Sequence, residues 1–226
     1  MFLCTLQTSE VLMKLPFKNR TVAGKELAKS LRKYKDRDDI IVLALPRGGV
    51  PVALEVAKYL NADLDLMLVR KLGAPGYKEL AMGAIATGGI KVMNNDVVRS
   101  LYITPEAIEA VEAEERKELQ RRETAYRGKR PLPDLQNQCV IVVDDGLATG
   151  ATMHAAIGAI RLQSPARIVV AVPIAPQDTI QALNPKVDEM VCLEEPYPFS
   201  SIGQWYIDFS QVSDEEVRSI LRQVWK

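Results

Sequence analysis

A chain of 226 residues with 47% hydrophobic and 26% charged content has the length and balance of a globular protein with one substantial core. Lys plus Arg (29) cancels Asp plus Glu (29), which argues against a broad nucleic-acid or membrane surface while leaving room for a local basic pocket. No apolar run approaches the ~18 residues of a membrane span. Cys4, Cys139 and Cys192 are far apart and in no metal-ligand spacing. Two of them sit in apolar runs and read as free buried thiols in a reducing compartment. The N-terminus lacks a basic region and a clear cleavage site, so a cytoplasmic protein is expected.

Residues 1 to about 15 read as weakly attached. "IIVLAL" (40–45) is short, apolar and rich in β-branched residues, the pattern of a buried strand, and "PRGG" ends it. "VPVALEVAKYL" (50–60) carries apolar residues at helical spacing. "DLDLMLVRKL" (63–72) reads as a second strand that leaves through Arg70 and Lys71, and "GAPGYKEL" (73–80) as a loop. "AMGAIATGGIKVM" (81–93) has strand-like halves around Thr87-Gly88-Gly89, a hairpin signal.

Thr104-Pro105-Glu106 supplies an N-cap and a proline at the first helical position, and Gly128 a stop. The helix between them has a thin apolar stripe of Ile108, Val111, Leu119 and Tyr126. It reads as a charged surface helix (104–128) inserted ahead of the next motif. "RPLPDLQNQ" (130–138) is a linker. A strand at 139–143, a helix near 150–162, the strand "ARIVVAVP" (166–173), a helix near 177–183 and the strand "VDEMVCL" (187–193) follow. "SDEEVRSILRQVW" (213–225) is a capped helix. Alternating strands and helices, with strands apolar on both faces, predict a single α/β domain over 1–226: a parallel sheet flanked by helices.

The chemistry concentrates in "VIVVDDGLATGAT" (140–152). A buried strand runs into Asp144 and Asp145, then into a loop of small and hydroxyl residues that opens a helix. Ligands of open parallel sheets gather outside the carboxyl ends of strands. Successive backbone N–H groups, two threonines and a helix N-terminus suit a phosphate dianion. Carboxylates facing that phosphate would repel it, so they are expected to face sugar hydroxyls or a divalent cation. The Gly-Lys-Ser/Thr ending of a nucleotide P-loop is absent.

This stretch resembles the 5-phosphoribosyl 1-diphosphate (PRPP) binding signature of the type I phosphoribosyltransferases, and the likeness extends over about residues 17 to 210. The resemblance implies that family's fold, with a small C-terminal hood (191–212), and Mg²⁺ as cofactor. Asp144 and Asp145 would hold the ribose hydroxyls and the metal, and Ala148, Thr149, Gly150, Ala151 and Thr152 the 5-phosphate. "LPRGG" (45–49) is similar to the family's diphosphate loop, with Arg47, Gly48 and Gly49 in the binding positions. "VRKLGAPGYKELAMGAI" (69–85) resembles the exit strand and mobile catalytic loop. There Arg70 and Lys71, like the pair in adenine and orotate enzymes, would meet the leaving diphosphate, which makes Lys71, Arg70 and Asp145 the candidate catalytic set.

"VCLEEPYPFSSIGQWYIDF" (191–209) resembles the hood of the hypoxanthine-guanine enzymes. Phe199 would cover the base and Asp208 would lie by the metal or the base edge. One extra residue before Gly203 and another before Asp208 leave Trp205 or Tyr206 as alternative stacking rings. Ala148 stands where several purine enzymes carry an aspartate, so any base-directed catalyst must come from elsewhere, with Glu79 a candidate. The single histidine, His154, is given no role. The expected reaction is transfer of 5-phosphoribosyl from PRPP to a nitrogenous base or related small-molecule acceptor, with release of diphosphate. The rival is a PRPP- or nucleotide-sensing regulator with the same fold and no turnover. Neither nucleic acid nor membrane is an expected partner, a homodimer is an open expectation, and the acceptor is not specified by the sequence.

Overall fold

Period-two alternation in the central strands sets the architecture. Ile40, Val42, Ala44, Ile141, Val143, Val169 and Ala171 pack into one apolar layer, and Ile41, Leu43, Leu45, Val140, Val142, Ile168 and Val170 into another. A sheet buried on both faces needs helices on both faces. The computed structural model describes residues 15–225 and shows that arrangement. Strands β1 (Ile40–Ala44), β2 (Asp63–Leu66), β6 (Cys139–Val143), β7 (Arg167–Ile174) and β8 (Glu189–Glu194) form a parallel sheet in the order β2-β1-β6-β7-β8. Helices α1 (Arg20–Ser30), α2 (Gly49–Leu60) and α7 (Asp214–Val224) supply residues to the first layer, and α5 (Ala151–Arg161) and α6 (Gln177–Leu183) to the second.

A second sheet departs from the sequence expectation. Residues 63–72 are two strands, because the chain leaves the main sheet at Met67-Leu68. Met67 N–H still bonds Ala44 O at 3.0 Å, but Leu68 N–H turns to the buried Thr87 hydroxyl, also at 3.0 Å. From there β3 (Val69–Ala74), β4 (Tyr77–Ala86) and β5 (Ile90–Met93) form an antiparallel sheet. The expected loop 73–80 is the β3–β4 hairpin, turning at Pro75-Gly76, with register shifts on either side of Gly73. Glycine, alanine and proline there carry no strand signal, and cross-strand pairing overrides their low propensity. The hairpin at 87–89 forms as its glycines indicate, both with positive φ.

Helix α4 (Pro105–Arg127) has the predicted Thr104 cap, which accepts from Ala107 N–H at 3.3 Å. It is anchored at its end by the buried Arg127–Asp65 ion pair, 2.6 Å long. Helices α1 and α3 (Asn95–Ser100) have asparagine N-caps but no strong apolar stripe. The buried face of α1 is Ala23, Gly24, Leu27 and Ala28, too small to give a strong apolar stripe.

The hood draws on both ends of the described chain. Phe17 N–H donates to Trp205 O and Ile207 N–H to Phe17 O, each at 2.8 Å. Residues 191–194, read as the start of the hood, belong to edge strand β8. Burial pushes the thiol of Cys139 up to about 11 and that of Cys192 up to about 12, so both stay protonated. Cys4 and the N-terminal residues expected to be weakly attached lie outside the described range. Among the described residues, no helix is long and apolar enough to cross a membrane.

Candidate active site

Three loops meet at the carboxyl ends of β1, β6 and β7. Leu45 N–H bonds Val143 O at 2.9 Å, which brings the loop after β1 against the acids after β6. The approach is so close that side chains are forbidden. A Cβ on Gly48 would stand 2.0 Å from Asp145 Oδ2, and one on Gly49 would stand 2.7 Å from Val143 O and 3.0 Å from Asp144 Oδ1. "PRGG" and "DDG" are therefore two halves of one surface. The Pro46–Arg47 peptide bond within it is cis.

Asp145 is buried and Asp144 half-buried. Asp144 Oδ1 accepts from Asp145 N–H at 2.8 Å, and Asp144 has no ion-pair partner among the described residues. Asp145 Oδ2 accepts from Arg20 Nε at 2.7 Å, and Tyr206 donates its hydroxyl to Asp145 O at 2.6 Å. Loss of solvent around the Asp144 carboxyl pushes it well above the usual range, and the adjacent Asp145 charge adds to it. Burial also raises Asp145, with Arg20 pulling it back toward the ionised form. Two shielded carboxylates, of which only Asp145 is paired with a guanidinium among the described residues, retain capacity for hydroxyl donors or a cation.

The loop after the acids lines a recess of about 200 Å³ bounded by Asp144, Gly146 to Met153 and Ile202. Among the described residues the N–H groups of Ala148, Thr149 and Gly150 have no intramolecular acceptor. Left unpaired ahead of a helix start, they present a row of donors chemically suited to an anion. Neighbours hold the loop in shape. Leu147 N–H bonds Ile174 O at 2.9 Å, and the Thr179 hydroxyl bonds Ala148 O at 2.6 Å. Gly150 is left-handed (φ 68°) beside Thr179 and Leu183, where a side chain would be both strained and obstructed.

Each candidate cation rests on a carboxylate. Arg47 Nη1 is 3.3 Å from Asp214, which Tyr126 also contacts at 2.6 Å. Arg70 Nε is 2.6 Å from Glu115, and Lys71 Nζ is 3.1 Å from Glu79. Glu79, the candidate base, points into solvent except for that contact. Arg70 and Lys71 share a cavity of about 470 Å³ with Pro46, Lys78, Glu115 and Thr152, so it joins the hairpin to the loop after β1 and to the start of α5. A larger cavity of about 560 Å³ shares Lys71 and Thr152 with it and continues to His154 and Lys186. His154 contacts Lys186 there, and burial and that charge lower its basicity.

In the hood, Phe199 and Trp205 are half-buried against Ile202 and the buried core of Phe17, Ile174 and Tyr206. Tyr206 is enclosed and hydrogen-bonded, which removes it as a stacking ring. Asp208 is exposed and accepts from Ser210 N–H at 3.1 Å. The structure does not gather it with Asp144 and Asp145 into a metal-ligand cluster, and no such cluster of three is found among the described residues.

With this geometry in place, comparison with known proteins is decisive. The family model "Phosphoribosyl transferase domain" matches residues 17–204. The chain belongs to the phosphoribosyl transferase domain family. It is 46% identical over 209 residues to the Mycobacterium tuberculosis proteins named "Putative phosphoribosyl transferase Rv0571c" and "Putative phosphoribosyl transferase MT0597". That match covers 92% of the chain and 47% of each relative, so the chain spans about half the length of these curated relatives. The structure of TT1426 from Thermus thermophilus superposes with a TM-score of 0.84 at 41% identity, covering 92% of this chain and 98% of that one. AQ2163 from Aquifex aeolicus shares the fold alone, at 14% identity and a TM-score of 0.50 over 88% of this chain and 84% of that one.

Within this phosphoribosyl transferase domain, the local motifs do not reveal which distant residues they contact. Arg20, Ile202, Glu115 and Asp214 touch site residues from elements distant in sequence. Asn19, which caps α1 by accepting from Val22 N–H at 3.0 Å, is a readable signal that a helix begins at Arg20. Nothing local shows that Arg20 reaches Asp145.

Proposed function

We propose that this phosphoribosyl transferase domain transfers 5-phosphoribosyl from PRPP to a nitrogen of a base or related small acceptor, releasing diphosphate. The observation that carries this reading is the row of unpaired amides at Ala148 to Gly150 beside the acid pair, with Gly48 and Gly49 pressed against the same acids. Those amides and the Thr149 and Thr152 hydroxyls bind the 5-phosphate. Asp144 and Asp145 accept hydrogen bonds from the ribose hydroxyls. The backbone of Arg47 to Gly49 meets the diphosphate. Arg70 and Lys71 exchange Glu115 and Glu79 for the diphosphate as it gathers charge during cleavage of the C1–oxygen bond. Phe199 or Trp205 supplies the ring against the acceptor.

The donor set also fits Mg²⁺, which commonly takes one or two carboxylates and completes its shell with substrate phosphates and water. Asp144, half-buried and without an ion-pair partner among the described residues, and Asp145 would hold it, and its chemistry would be charge neutralisation on the diphosphate.

A specific observation favours the rival reading of a PRPP sensor: Arg47, Arg70 and Lys71 are all engaged by carboxylates. The test is a screen of purines, pyrimidines and simple amines with PRPP and Mg²⁺, measuring diphosphate release. Release with one acceptor class supports the transferase. PRPP binding without release from any acceptor supports the sensor.

A further inference from the structure

We propose that Arg20 is a positioning residue that ties the hood to the acid pair, so that PRPP engaging Asp145 sets the arrangement of the chain around Trp205. The inference rests on the reading that Asp144 and Asp145 receive PRPP. Arg20 is the first residue of α1, and its side chain is 11% exposed. Its guanidinium makes three contacts with two separate parts of the site. Nε bonds Asp145 Oδ2 at 2.7 Å, Nη1 bonds Ser210 O at 2.7 Å, and the planar group lies 3.9 Å from the centre of the Phe209 ring.

These contacts close a circuit. Phe209 packs on Tyr206 with ring centres 5.0 Å apart, and the Tyr206 hydroxyl returns to Asp145 O at 2.6 Å. The carboxylate of Asp145 thus governs the hood through Arg20, and its carbonyl does so through Tyr206. Trp205 immediately precedes Tyr206 and is hydrogen-bonded through its carbonyl to Phe17. A ligand that moves the Asp145 side chain therefore moves the support of Trp205. With Oδ2 held by Arg20, Oδ1 is the oxygen left for a ribose hydroxyl. A planar fork can bond in two directions while stacking on a ring, whereas an ammonium supplies the charge without that geometry. Lysine at position 20 is expected to separate the two jobs, preserving charge at Asp145 and losing the link to Phe209 and Ser210.

The experiment uses the full chain carrying Trp225→Phe, which leaves Trp205 as the only tryptophan of the original two. PRPP with Mg²⁺ is titrated into this parent, and into its Arg20→Lys and Arg20→Gln derivatives, by calorimetry and by tryptophan emission. Thermal melts confirm folding. The parent should bind PRPP and change its Trp205 emission. Arg20→Lys should keep affinity within about threefold and lose the emission change. Arg20→Gln should lose about tenfold or more in affinity, the scale of one charged hydrogen bond. The proposal is overturned if the parent binds PRPP without an emission change, or if Arg20→Lys responds like the parent. If the parent does not bind PRPP, the functional reading itself fails, a result distinct from both.

Discussion

Gly48 lies so close to Asp145 that a single added methyl would stand 2.0 Å from the carboxylate oxygen. The loop after β1 and the acid pair are thereby built against each other, although Gly48 and Asp145 lie 97 positions apart in the sequence. Gly48→Ala must displace the Asp145 carboxylate and with it the ion pair to Arg20. It should destabilise the domain by about 1–3 kcal/mol, the usual cost of overpacking, and abolish PRPP binding. Denaturant unfolding beside calorimetry checks both; a stable variant with full affinity contradicts the contact.

Asp144 should cost the empty protein stability. Desolvation and the Asp145 charge raise its pKa in the folded chain, so the fold favours the protonated form. The resulting stability is present below the unfolded carboxylate value and is lost as pH rises through the raised folded value. At neutral pH Asp144→Asn should therefore be more stable than wild type by on the order of 1 kcal/mol. The advantage should shrink toward acid pH, while PRPP affinity falls. Urea unfolding at pH 7 and at about pH 4.5, near the unfolded carboxylate value, measures the difference; an Asn variant less stable at neutral pH contradicts it.

Lys71 separates an enzyme from a sensor. It sits on β3 at the base of the hairpin, and its ion-pair partner is the exposed Glu79. A cation used mainly as charge builds on the leaving group affects turnover more than ground-state binding. Lys71→Ala should lower kcat by about a hundredfold or more with a smaller change in PRPP affinity. No turnover with any acceptor, together with a Lys71→Ala effect on PRPP affinity alone, would favour the sensor.

Much of the fold was legible because its signals are local. Apolar strands such as 139–143, the Thr104 cap and the Gly88-Gly89 turn all took the predicted form. The split at Met67-Leu68 was not legible, because it depends on Thr87, nineteen residues away, accepting the Leu68 N–H. The β3–β4 hairpin was hidden for a similar reason: Gly73 and Ala74 pair only because β4 lies beside them. At the candidate site, the strand that ends in Asp144 and Asp145 and the helix start after Gly150 were readable, because apolar run, acids and small-residue loop are contiguous. The Arg20 link to Asp145 spans 125 positions and leaves no trace in either local pattern.

The hood aromatics separate by substitution. Tyr206 is committed to the core, which leaves Phe199 and Trp205. Phe199→Ala should raise the acceptor KM with PRPP affinity nearly intact, by the roughly 1–3 kcal/mol typical of lost base stacking. If Trp205→Ala has this effect and Phe199→Ala does not, the stacking ring is Trp205.

The most direct test of the central claim is a calorimetric titration of PRPP, with Mg²⁺, into wild type and Asp145→Asn. The account predicts saturable one-site binding to wild type and an affinity weaker by about 1–3 kcal/mol in the variant, the scale of losing a charged hydrogen-bond partner. No binding to wild type, or unchanged affinity in Asp145→Asn, would contradict it.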